Sequence, residues 1–235
     1  MAPDPSAASV PPPVTAGARD KVRLRFRKDG ALRWLSHHDL MRTFERMLRR
    51  SGLPFRRTQG FNPHPRLVFA LSLPVGVVGR AEVAELELDE QLPPGEVHDR
   101  LAAQCPPGLA ILSTERVSPR QTAHVTGFTY AIDVPSERRD AARGRLAEAL
   151  ALTEWRVARQ KPTPRNLNVR PFVRDLRLDD ATGRLEMDLW LTPTGTARPE
   201  EVLGLMGLAD LLSAGGVLER VRLELDDDPP QAGQP

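Results

Sequence analysis

Residues 21–52 read KVRLRFRKDGALRWLSHHDLMRTFERMLRRSG, and this stretch decides the fold class. In its first eight residues Val22, Leu24 and Phe26 alternate with Arg23, Arg25 and Arg27, the two-residue period of a half-buried strand. The period then changes. Leu40, Met41, Phe44, Met47 and Leu48 recur at helical spacing, Ser36 and Asp39 make a capping-box-like start, and Gly52 and Pro54 end the helix. Working outward, the pattern predicts strands over 66–73 and 81–88, a short helix over 94–103 and a closing strand over 109–117.

The second half repeats this order. It predicts a strand over 127–134, a helix over 136–152 capped by Ser136, and strands over 155–159, 166–178 and 184–191. The turn Asp179-Asp180-Ala181-Thr182-Gly183 makes the last two strands a hairpin. A helix over 200–212, with a break near Gly207, and a strand over 217–225 complete it. Strand–helix–strand–strand–helix–strand, read twice, predicts an α+β fold of two tandem ferredoxin-like (βαββαβ) units, each a two-layer sandwich. The expected units are 19–120 and 121–225, the second with a basic Pro-rich insertion. Residues 1–18, rich in Ala, Pro, Ser and Val, and the acidic 226–235 read as a disordered leader and tail.

With 40% hydrophobic residues among 235, the chain has the apolar material for a real core. The single cysteine, Cys105, excludes an internal disulfide, Cys-rich zinc sites and a protein-held iron–sulfur cluster. No run approaches the roughly 18 apolar residues of a membrane helix. Residues 1–18 also lack the regions of a secretory signal, so the expectation is a cytoplasmic protein with no membrane contact. There is no Walker loop, no G-x-G-x-x-G and no G-x-S-x-G, and no cofactor or metal is expected.

The net charge of +2 hides a strong asymmetry. Residues 21–66 carry thirteen basic and three acidic side chains, whereas 67–100 carry two basic and seven acidic ones. Arg42, Arg46, Arg49 and Arg50 recur at spacings that make them neighbours on the predicted helix. This predicts a phosphate-binding surface for RNA or another polyanion. The competing expectation is internal pairing with the acidic strand 82–90. A second basic stretch, Lys161, Arg165, Arg170 and Arg174, contains no acid and is stiffened by Pro162, Pro164 and Pro171, the pattern of a rigid binding loop.

Two segments look unlike scaffold. In Ser36-His37-His38-Asp39, the histidines and the acid fall in a first helical turn, where free N–H groups attract anions. In Gln59-Gly60-Phe61-Asn62-Pro63-His64-Pro65-Arg66, Gly60 permits positive φ, and the prolines bias Asn62 and His64 away from helix. The result is a stiff loop that can present Gln59, Phe61, Asn62, His64 and Arg66 to a ligand. Either His37 or His64 could serve as a general base.

Residues 21–225 resemble the radical-SAM-linked protein family. The resemblance rests on RFRKDGALRWLSHHDLMRTFERMLRRSGLP, on QGFNPHPRLVFALSLPVGV and on NVRPFV. It implies a bacterial protein encoded beside a radical SAM protein, or fused to its C-terminus. By position it marks Ser36, His37, Asp39 and Arg42, then residues 59–65, then Arg170 and Pro171. His38 departs from the family's usual apolar residue, and Asn168 from its usual Asp. The expected function is therefore an accessory module of a radical SAM protein that binds RNA or another phosphorylated substrate. An RNA-processing enzyme and a protein–protein adaptor are the alternatives.

Overall fold

The computed structural model describes residues 20–160 and 164–228. The fold is mixed α+β, organised on one large mixed sheet. The first half comprises β1 (Asp20–Lys28), α1 (His37–Ser51), β2 (Leu67–Phe69), β3 (Val78–Leu88), α2 (Pro94–Ala102) and β4 (Leu109–Val117). The second comprises β5 (Val125–Asp133), α3 (Arg139–Ala151), a hairpin of β6 (Arg156–Arg159) and β7 (Arg165–Asn168), then β8 (Val173–Leu178), β9 (Arg184–Trp190), α4 (Pro199–Leu205), α5 (Asp210–Ser213) and β10 (Glu219–Leu225). No helix among the described residues is long and apolar enough to cross a membrane.

The strands lie in the order β4-β1-β3-β10-β5-β9-β8, with β2 also on β3. β2 pairs with Ala84–Leu86 of β3, while the start of the same strand, Val78 and Gly79, runs parallel to Glu219 and Arg220 of β10. The expectation was two tandem two-layer units; the structure joins the two halves in one sheet that continues through this junction. Two apolar clusters flank it. Val22, Leu24, Phe26, Ala84, Leu86 and Leu88 pack with Leu40, Phe44, Met47 and Leu48 of α1 and with Val97 and Leu101 of α2. Phe128, Tyr130, Ile132, Leu185, Met187 and Leu223 form the centre of the other cluster. Val83 belongs to this second cluster and Ala84 to the first, so the two cores meet β3 from opposite faces.

The junction holds a buried ion pair. Arg220 donates to both carboxylate oxygens of Glu82, the Nε–Oε1 distance being 2.8 Å, and their side chains are 1% and 3% exposed. Its remaining N–H groups reach the carbonyls of Ser72 (3.2 Å) and Leu71 (3.4 Å). Burial opposes the guanidinium charge, but Glu82 and Tyr130 outweigh burial and hold the Arg220 pKa above its ordinary value.

Several local expectations change. The strand expected over 66–73 is only Leu67–Phe69, and the one over 166–178 is cut by a 3-10 turn at Arg170–Phe172 that contains Pro171. Ser136 does not cap the helix. Its hydroxyl turns to Glu137, and α3 begins at Arg139 after a 3-10 turn. Gly207, at φ 68°, does divide α4 from α5. Within the expected disordered tail, Asp227 and Asp228 are held by Arg23 and Arg25 respectively. Arg23, expected on the outward face of β1, is 3% exposed because Glu85 faces it across the ladder and Asp227 covers it. The expected leader lies outside the described residues.

Candidate functional site

The fold divides the basic segment in two. One set of cations is neutralised internally. Lys21 and Arg23 pair with Glu85, Arg25 with Asp228, Arg27 with Asp29, and Arg56 and Arg66 with Glu87. Arg66, expected to bind a ligand, therefore spends its charge on the acidic strand. Arg42 pairs with Asp39 one turn earlier, at 3.5 Å. The second set keeps its charge. Arg46 donates to the Thr43 hydroxyl and Arg50 to the Gln104 carbonyl, while Arg57 stacks 4.9 Å from the Phe55 ring centroid. Among the described residues, Arg49 and Arg57 have no carboxylate partner.

Arg49 and Arg57 line an open groove with Asn62, Pro63 and His64. α1 supplies Arg49 from its last turn. It is held in register by a Ser36 cap that accepts from the Asp39 amide at 3.2 Å and by a left-handed Gly52 at its end. The loop supplies the rest and is closed at its base. Thr58 N–H donates to the His64 carbonyl (2.8 Å), His64 N–H to the Thr58 hydroxyl (3.0 Å), and Arg57 bridges Pro65. Between these ties Gly60 takes φ 128° and Phe61 stands fully exposed. The groove thus gathers two planar cations, an amide and an imidazole, a donor set suited to phosphate oxygens.

His64 is oriented by Glu45, whose carboxylate lies 2.9 Å from Nδ1 and leaves Nε2 as the other polar ring atom. Glu45, Arg57 and Thr58 are the three contributors that sequence reasoning missed. The available signal was that Glu45 is the only acid between Asp39 and Arg66. His37 has a different setting. Its ring packs edge-on against Phe69 at 5.5 Å, and it lies about 12 Å along the helix axis from Glu45. The structure therefore does not bring the two motifs together. Of these two histidines, His64 is the one that shows the carboxylate–imidazole arrangement of an oriented acid–base group. Ser36 and Asp39 serve the helix start: the Ser36 hydroxyl, 2.7 Å from the carboxylate, holds Asp39 below the usual carboxylate range.

The second basic stretch is largely structural. Arg170 donates to the carbonyls of Leu150, Leu152 and Val173 and lies over the Trp155 ring, so it closes the end of α3. Asn168 Oδ1 accepts from the Trp155 and Arg170 amides, a role a side-chain carboxylate would also fill. Arg174 pairs with Glu224 and Asp188. Arg165 is exposed on the β6–β7 hairpin and is not among the residues that line the groove. Lys161 lies outside the described residues. Gln59 is exposed at the loop's start.

Gly60 gives a direct check on the loop. A Cβ there would meet no atom within 4 Å, so Gly60→Ala adds only conformational strain, roughly 1–3 kcal/mol. The expected result is a folded variant whose loop is displaced and whose ligand binding is mostly lost. Unchanged binding with lowered stability, compared by titration and thermal melting, would make the loop mere punctuation.

The chain belongs to the family described as "Uncharacterized protein conserved in bacteria (DUF2344)", whose profile matches residues 21–199. No curated protein matches it. A solved structure titled "Crystal Structure of an Unknown Protein from Galdieria sulphuraria" aligns over 88% of this chain and 99% of its own, at 12% identity and a TM-score of 0.28. That likeness is too slight to carry an argument.

Proposed function

We propose that this protein is a cytoplasmic accessory module of a radical SAM protein and that it holds a phosphorylated substrate, RNA foremost, in the groove between α1 and the Gln59–Pro65 loop. The observation that carries this reading is the placement of Arg49 and Arg57. Among the described residues they are cations without carboxylate partners, and they line one groove with Asn62 and His64. The radical SAM partner is inferred from the resemblance of the three motifs. The single cysteine fits a partner role, since the chain cannot itself hold a three-thiolate cluster. The finer fold reading is likewise ours. With the separate β6–β7 hairpin set aside, the orders β4-β1-β3-β2 and β10-β5-β9-β8 each run fourth, first, third, second, which supports two tandem ferredoxin-like units fused edge to edge.

The test is binding of single-stranded RNA followed across salt concentration. A phosphate-binding groove gives a linear log–log decline, with a slope of about −0.7 per phosphate contacted. Arg49→Glu and Arg57→Glu should each weaken binding roughly tenfold and flatten that slope by nearly one contact. A wild-type protein that binds no RNA at low salt would sink the reading.

A further inference from the structure

Phe61 is the one large apolar side chain of the loop, and it is completely exposed, at 107% of its reference area. The other exposed aromatics are partly covered. Trp34 lies under Arg33 and against Gly76, and Trp190 carries Arg174 at 3.5 Å. Phe61 has no ring or cation partner among the described residues. Nor is it on a segment free to fold it away, since the backbone ties at Thr58, His64, Arg57 and Pro65 fix the loop on which it stands. Its chain neighbour Asn62 lines the groove that holds Arg49, Arg57 and His64. A bare aromatic face thus sits one residue from a phosphate-suited groove.

That juxtaposition selects among polyanions. Inorganic phosphate or a sugar phosphate uses the arginines and leaves the ring idle. A duplex keeps its base faces inside its own stack. A single strand offers both parts at once, a backbone phosphate and an unpaired base whose π-face can lie on an aromatic ring. We propose that Phe61 stacks on an unpaired base of single-stranded RNA while the adjoining phosphate rests on Arg49 and Arg57, with Asn62 placed to meet the base edge. The inference rests on the phosphate-binding reading above and adds the substrate class to it.

The experiment uses the full chain with a 12-nucleotide single-stranded RNA, the same sequence as a duplex, inorganic phosphate and a poly-glutamate peptide as ligands. Phe61→Ala should bind the single strand roughly tenfold more weakly, with the salt slope unchanged because no phosphate contact is lost. Phe61→Trp should bind as the wild type, and its added fluorescence should be quenched by the single strand. Arg49→Glu should lower both affinity and slope. Because Phe61 is exposed, melting temperatures should not move, which separates binding loss from misfolding. If Phe61→Ala binds as the wild type while Arg49→Glu weakens binding, the stacking inference falls and the phosphate groove stands. Equal affinity for duplex and single strand, or Phe61-dependent capture of poly-glutamate in place of RNA, also overturns it. If no RNA form binds, both readings fall.

Discussion

Arg220→Met should strongly destabilise the protein. It removes the charge that compensates Glu82, which is 3% exposed at the junction of the two halves, and frees the carbonyls of Leu71 and Ser72. Breaking one side of a buried ion pair costs about 3–5 kcal/mol, because the remaining charge is cut off from water; here the buried Lys28 still attracts Glu82 through space but does not replace the two hydrogen bonds of Arg220. For a chain of this size that lowers the melting temperature by roughly 10 °C. Adding Glu82→Leu should restore at least half of the loss, since the uncompensated carboxylate was its main source. Thermal melts of the two variants decide the matter. An Arg220→Met protein within about 1 kcal/mol of wild type would mean that the junction is held by β-pairing alone.

Arg170→Ala should also destabilise, by roughly 2–3 kcal/mol, because three carbonyls at the end of α3 and the start of β8 lose a charged donor and Trp155 loses its cover. Its RNA affinity should stay within about twofold of wild type, the size of change expected when no phosphate contact is lost. Denaturant titration and the RNA assay together test this. Intact stability with weakened binding would return Arg170 to the ligand-binding set.

The contrast between Arg49 and Arg170 shows what was legible beforehand. Strand and helix positions followed from local periodicity, and β4 fell on the predicted residues while α1 missed by a residue at most. The QGFNPHP loop was readable because Gly and Pro act on their own backbone and need no distant partner. Which arginines stay free is a different kind of fact. Arg23, Arg56 and Arg66 are neutralised by Glu85 and Glu87, residues tens of positions away that only the pairing onto β3 brings near, and Arg174 reaches across the sheet to Glu224, two strands further on. A stretch without acids in sequence is thus no guide to a stretch without acids in space. The same holds for the single sheet. The pairing of Val78 and Gly79 with Glu219 and Arg220 spans more than half the chain and has no local signature.

That pairing has a consequence for how the chain is made. β10 follows every other described strand in order, yet it lies in the middle of the sheet, with β3 on one side and β5 on the other. A ribosome releases the flanking strands first, so the start of β3 and the whole of β5 wait as open edges until the centre arrives. Open edges of this kind pair with the wrong neighbour when the right one is delayed. The nascent chain therefore passes through its most aggregation-prone stage just before β10 emerges. A truncation ahead of Glu219 would not trim a border strand; it would leave two half-sheets with the seam missing between them.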